Sequence, residues 1–451
     1  MKVYRLINKK TTYIGFIVLW SLLFLFFLGE RGPVLLKDSG TFIRASEDLK
    51  RSYFLYPTLL QLFQGIFGNE IFLYAVVLLQ SVLTGATNLA FTEYLGKYFS
   101  IDYLGKCILY GMTFLPYAYP LPEHTVNHQI MTEALAYPLF YLYMLFVLKA
   151  FLEKKKSMLG IAGIMVALLA MTRSQLILMV IIYVILWIIW GMQYLYAKIR
   201  KKSFFWIGLV ASFCICVGST VLIIPKVVEK NVWSQFTDAV TGRTMCAMEE
   251  KDRELFDGHQ QQMFDSLFAF SDKNRYREQY FSEGNNRWDD ILHASNENTK
   301  NYNKIVGAYF EEIGEPIQNT RKEVAPVIAK LFRHHMGDYM TMTIDLCIQS
   351  FVAAIFIKPP AIYTLCCIIA FALYLLSITL LGYGIGKVKI DLKYAIPMFV
   401  TLLNLVGVVV ITNLLFFAMQ RYVVYTFGCF YISLFILILG IIRKKKELKN
   451  S

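Results

Sequence analysis

The sequence predicts an all-α polytopic membrane protein of about ten transmembrane helices, and three observations carry that prediction. The chain of 451 residues is 57% hydrophobic and only 17% charged, whereas a soluble domain is about 25% charged. Its apolar residues gather into runs of about 20, the length that crosses a bilayer core. Its basic charge also sits beside those runs. The net charge is +13, yet the polar stretch Lys226–Met340 holds 15 Lys/Arg against 19 Asp/Glu, a net of −4 that leaves +17 for the remainder. That distribution is the positive-inside pattern of membrane proteins. It excludes a nucleic-acid footprint, which needs clustered basic residues on one face.

The first element follows a basic N-terminus. Thr12–Leu28 is too long for a signal peptide and lacks a small-residue cleavage site, so a retained first span is expected. The spans are then 12–29, 70–92, 101–116, 129–150, 157–171, 175–196, 203–225, 361–386, 394–416 and 421–442. The fifth and sixth are separate because one helix over both would be about 60 Å long. The chain therefore turns near Thr172-Arg173-Ser174. With both termini cytoplasmic, 22 of the 30 basic residues outside Lys226–Met340 fall on the inner side. Lys330–Ile357 reads as one amphipathic helix on the outer interface. Three regions result: 1–225, an N-terminal membrane region with a first outer loop at 30–69; 226–340, an extracytoplasmic insert; and 341–451, the interfacial helix and C-terminal spans. Seven of the eight cysteines lie in apolar segments, with no CxxC pair and no disulfide framework.

Candidate functional residues lie on the outer face. Asp38 precedes Phe42, Ala45, Ser46 and Leu49, which recur at helical spacing. Asp38 or Ser39 should therefore cap a short helix on the membrane surface. A carboxylate at that depth can act as a general base toward a hydroxyl; an ordinary helix cap explains the same residue. Arg51 leads to Tyr56-Pro57, which starts a second short apolar helix, since proline suits a first turn. Glu133 stands just inside the fourth span, where a carboxylate needs a cavity or a partner such as an arginine. Arg173 and Arg421, the latter beside Tyr422, are lone arginines at outer turns. A planar guanidinium suits phosphate, and snorkelling to headgroups is the alternative. Glu123, His124 and His128 cluster in the second outer loop without a recognised zinc spacing. His334-His335 and Asp289-Asp290 add little to these.

Taken in order, these motifs resemble the GT-C fold glycosyltransferases, especially the bacterial relatives of protein mannosyltransferases and aminoarabinose transferases. The matching pieces are Asp38 with Phe42 and Ala45; Arg51 with Tyr56-Pro57; Thr132-Glu133-Ala134-Leu135 with Pro138-Leu139-Phe140; Thr172-Arg173; and Arg421-Tyr422. The resemblance implies a sugar donor on a polyprenyl phosphate, presented from membrane lipids, and a glycan, lipid or protein acceptor. It implies that Asp38 deprotonates the acceptor hydroxyl, that attack inverts the anomeric carbon, and that Arg173, Arg421 and Tyr422 hold the leaving phosphate. It requires no cofactor and leaves a divalent metal open. Many relatives carry a second acid beside the first; here Ser39 follows Asp38, and Glu123 is the substitute suggested. Many also carry a soluble domain after the last span, whereas this polar insert lies in mid-chain. The resemblance and the predicted topology together imply a multi-pass cell-membrane protein with its active site on the extracytoplasmic face. Three rivals remain: a polysaccharide polymerase or ligase using a late outer loop, a lipid or glycan transporter, and a non-catalytic assembly protein. A transporter predicts an internal repeat and mid-membrane polar residues, and the sequence shows no repeat.

Overall fold

The computed structural model describes residues 8–47, 55–118, 120, 123–173, 176, 179–197, 232–281, 287–314, 320–356, 363–415 and 420–450. Among them the chain is almost wholly helical, and its β structure is one isolated bridge, Val34 to Gln129. Five helices among the described residues are long and apolar enough to cross a membrane: Leu55–Tyr98, Thr132–Leu152, Thr364–Val388, Leu392–Leu414 and Gln420–Asn450. The span expected at 203–225 and Arg51 lie outside the described residues. The chain divides into two compact units, 1–230 with 352–408 and 424–451, and 231–351 with 409–423.

In the first unit, α1 (Lys10–Arg31) is 22 residues long, about 33 Å at 1.5 Å per residue. Its Trp20 stacks on Phe114 at 4.5 Å. The short helix α2 (Ser39–Glu47) follows in the first loop. Next comes α3 (Leu55–Tyr98), broken at Gly68, whose φ of +71° only glycine adopts cheaply. That break separates the short apolar helix begun by Tyr56-Pro57 from the membrane helix after it. Leu62 and Ile66 on the short helix are 56% and 63% exposed, an apolar surface suited to lipid.

Helix α4 (Tyr103–Met112) differs from the span expected at 101–116. It has 10 residues, about 15 Å, half a bilayer core. The run continues as a 3₁₀ turn, Leu115–Tyr117. Pro116 is the physical reason, since it cannot donate to a fourth residue back. Helix α5 (Thr132–Leu152) is apolar all round and buried along nearly its whole length, as a central helix should be. It packs against α3 and α6 (Lys156–Thr172). Helix α7 (Met179–Ala197) is held to α5 by Trp190 Nε1 donating to Ala150 O at 3.2 Å and to α6 by Tyr183 Oη donating to Leu159 O at 2.9 Å. The helix boundary at Thr172, with Arg173 extended at φ −153°, is the turn that length arguments require.

The C-terminal helices are α13 (Tyr363–Tyr383), α14 (Ile396–Leu415), α15 (Gln420–Val423) and α16 (Phe427–Asn450). Buried polar pairs tie α14 to α5 and to α16, as expected where water is scarce: Tyr143 Oη donates to Asn404 at 3.0 Å, and Thr401 meets Ser433 at 2.9 Å. Arg443 on α16 donates to Phe99 O at 2.6 Å and Ser100 O at 2.8 Å. It thereby satisfies carbonyls and places a cation just past the C-terminus of α3.

The second unit is built from amphipathic helices: α8 (Val232–Ala247), α9 (Gly258–Lys273), α10 (Arg287–Glu312), α11 (Thr320–His334) and α12 (Met336–Ile355). One core gathers Met245, Phe264, Leu267, Phe310 and Leu331, and a second gathers Ile291, Ala294, Met342 and Leu346. Gly242 lets α8 meet α10, because a Cβ there would stand 2.4 Å from Ser295 O. The helix expected to run from Lys330 through Ile357 is instead two, divided at His335. Gly337, a weak helix former, sits at the start of α12. Arg287 bonds Asp345 at 3.0 Å, and Gln349 donates to Asp289 at 2.9 Å, so one face of α12 serves the second unit.

Candidate functional site

The first loop folds as its spacing predicts. Asp38 immediately precedes α2, and its carbonyl accepts from Thr41 N–H at 3.0 Å and Phe42 N–H at 3.3 Å. Ser39 is fully buried and its hydroxyl accepts from Leu36 N–H at 2.8 Å. Both residues therefore organise the helix start, and Asp38 is half-buried there. Phe42 meets Tyr56 edge-on at 5.7 Å, and buried Tyr56 accepts from Gln80 Nε2 at 2.8 Å. The loop is also tied to the segment that enters α5. Val34 N–H donates to His128 O at 2.7 Å, and Ile130 N–H donates to Val34 O at 3.0 Å.

That segment ends at Glu133. The carboxylate is fully buried, forms an ion pair with Arg173, and accepts from Thr132 Oγ1 at 3.1 Å. Glu133 lies in the first turn of α5 and Arg173 just past the end of α6, so each charge also suits its helix terminus. A buried carboxylate in apolar helices needs such a partner, and a lone arginine needs a carboxylate as much as a phosphate. Arginine has five N–H donors in a planar fork, more than one carboxylate takes up.

The second loop does not gather its histidines. His124 bonds Gln129 at 2.8 Å, and buried His128 bonds Thr125 at 2.8 Å through Nδ1. Asn127 accepts from Thr84 at 3.2 Å, while Glu123 is exposed. Arg421 belongs to the second unit, where its guanidinium lies over the Tyr422 ring at 5.1 Å and donates to Tyr422 Oη at 3.2 Å. The structure thus joins Glu133 with Arg173, and the Asp38 loop with the His128 loop, and in the second unit it pairs Arg421 with Tyr422.

A cluster that sequence reasoning passed over lies in the second unit. Asp252 sits in the 3₁₀ turn Glu250–Leu255, where its Oδ2 accepts from Glu249 N–H at 2.8 Å. His335 Nε2 is 2.6 Å from Asp252 Oδ2, and its Nδ1 is 2.8 Å from Asp338 Oδ2. His334 Nε2 stands 3.6 Å from Asp252 Oδ1. Burial disfavours charge on Asp252, but the His335 bond, the Glu249 N–H and both imidazoles together hold its carboxyl below the usual range. The Asp252 bond, against the opposing effect of burial and with help from Asp338, pushes His335 above an ordinary imidazole. Asp338 also lines a cleft of about 590 Å³ with Cys246, Glu249, Lys251, Arg277 and Glu278. The available signal was the His335–Asp338 spacing of one helical turn. Asp252, 83 residues away, left none.

Asp252, His334 and His335 form the one grouping among the described residues with metal-ligand donors close together. The chain matches no protein-family model, no curated protein and no solved structure.

Proposed function

We propose that the protein is a membrane glycosyltransferase that moves a sugar from a polyprenyl-phosphate carrier to an acceptor hydroxyl on the outer face of the cell membrane. In this reading Asp38 takes the hydroxyl proton, the oxygen attacks the anomeric carbon with inversion, and the lipid phosphate leaves. Stabilising that phosphate supplies most of the acceleration. Arg173 serves that role, with Glu133 fixing it. The observation that supports the reading best is the buried Glu133–Arg173 pair at the ends of two apolar helices. Its α5 end is tied by backbone bonds at Val34 to the loop that carries Asp38. A carboxylate base, a fixed guanidinium and exposed apolar helices are the parts such a reaction needs.

A second reading, a polysaccharide polymerase or ligase, is favoured by one observation, the Asp252–His335–Asp338 chain beside a cleft with Arg277 and Lys251. Incubating purified protein with lipid-linked sugars and hydroxyl acceptors separates the two. The glycosyltransferase reading predicts that Asp38→Asn removes transfer and Asp252→Asn spares it. The reverse result would favour the polymerase or ligase.

A further inference from the structure

We infer that the second unit binds one divalent ion of the zinc class through Asp252, His334 and His335. The inference is independent of the sugar-transfer reading, which uses none of these residues. One donor atom from each side chain lies within 4.8 Å of the others. Ligands around a tetrahedral zinc at about 2.0–2.1 Å stand about 3.3 Å apart. Asp252 Oδ1 and His334 Nε2 are already 3.6 Å apart, so small side-chain rotations close the shell.

Asp252 supplies an independent sign that something belongs there. It is 1% exposed, yet its Oδ1 makes no hydrogen bond. Such buried, unsatisfied oxygens are rare and costly. An ion between Oδ1 and His334 satisfies it. His335 is prepared in the way metal-binding histidines usually are, with the far ring nitrogen bonded to a carboxylate. Here that carboxylate is Asp338, and its bond to Nδ1 turns Nε2 toward Asp252. In the structure Nε2 and Asp252 Oδ2 are close enough to share a proton; a bound ion takes that proton's place.

The donor set selects the ion class. Two imidazoles and one carboxylate suit zinc, cobalt or nickel, whereas calcium and magnesium prefer all-oxygen shells. Three protein ligands leave a fourth position for water or another ligand. His334, 46% exposed at its side chain, gives the ion a side from which to enter.

The test uses tag-free full-length protein in detergent, stripped with chelator and titrated with Co²⁺ and then Zn²⁺. The expected result is one Co²⁺ per chain with the visible absorption of tetrahedral cobalt, displaced by Zn²⁺ and not by Mg²⁺. Asp252→Asn abolishes uptake, and Asp338→Asn weakens it about tenfold. His334→Ala removes a partly exposed ligand, so the protein folds and loses affinity at least about tenfold, as expected for a direct ligand. His293→Ala on α10 leaves affinity unchanged. Absence of stoichiometric cobalt uptake by the wild type overturns the inference. So does equal affinity in His334→Ala, which decides the matter even where Asp252→Asn fails to fold.

Discussion

Replacing Glu133 with glutamine keeps the side chain's size and removes the charge that Arg173 faces. Glu133 is fully buried and the Arg173 side chain is 11% exposed, so neither charge is screened well by water. Breaking a buried ion pair from one side costs about 3–5 kcal/mol, because the remaining charge is uncompensated. Arg173 lies just past the end of α6, so its long side chain can recover part of this by reaching toward headgroups. The expected loss for Glu133→Gln is therefore about 2–3 kcal/mol. Removing both charges, as in Glu133→Gln with Arg173→Met, should cost less than Glu133→Gln alone. A coupling energy of about 3 kcal/mol or more is expected from the double-mutant cycle, because Arg173→Met alone leaves the Glu133 carboxylate buried and uncompensated. The assay is reversible unfolding in mixed micelles, followed by tryptophan fluorescence. A loss under about 0.5 kcal/mol, or strict additivity in the double variant, would refute the reasoning.

Other outcomes follow from the second unit. Gly242→Ala places a Cβ 2.2 Å from Thr299 Oγ1 and 2.4 Å from Ser295 O; it should lower stability by about 1–3 kcal/mol through overpacking, read by thermal unfolding. Gly307→Ala meets nothing within 4 Å in the helix α10, and the same assay should show a gain of up to about 1 kcal/mol. Arg243 is fully buried and donates to Tyr339 Oη at 3.3 Å and Thr343 Oγ1 at 2.9 Å. Arg243→Met should cost about 2–4 kcal/mol from lost charge-assisted bonds, and an unchanged unfolding midpoint would contradict that. Burial pushes the Cys246 thiol up to about 12, so at pH 8 its thiolate fraction is about 10⁻⁴. Iodoacetamide should label Cys246 only after denaturation, as mass spectrometry of its peptide would show.

Hydropathy made most of the membrane helices legible, because length and apolar content are properties of a run and need no partner. The break at Arg173 was legible for the same reason: a longer helix would not fit a bilayer. The helix start behind Asp38 and the proline entry at Tyr56-Pro57 were also readable, since caps and first turns are local chemistry. The shortness of Tyr103–Met112 was hidden, because hydropathy counts Pro116 within an apolar run and does not register the missing N–H. The division at His335 was masked by a continuous amphipathic pattern on both sides. Glu133 announced that it needed a partner, but only the packing of α5 on α6 identified Arg173. The Asp252 cluster was the least legible, since it joins a short 3₁₀ turn to the start of a distant helix and depends wholly on tertiary structure.

The central claim is sugar transfer from a lipid phosphate with Asp38 as base. The most direct measurement is the rate at which purified protein moves radiolabelled sugar from polyprenyl-phosphate donors to hydroxyl acceptors, wild type beside Asp38→Asn, with matched unfolding midpoints. The account predicts transfer by the wild type and a loss of about 10²-fold or more in the variant, the scale of general-base catalysis. Equal transfer by the two proteins would remove Asp38 from the chemistry. No transfer from any polyprenyl-phosphate donor by folded wild type would contradict the glycosyltransferase itself.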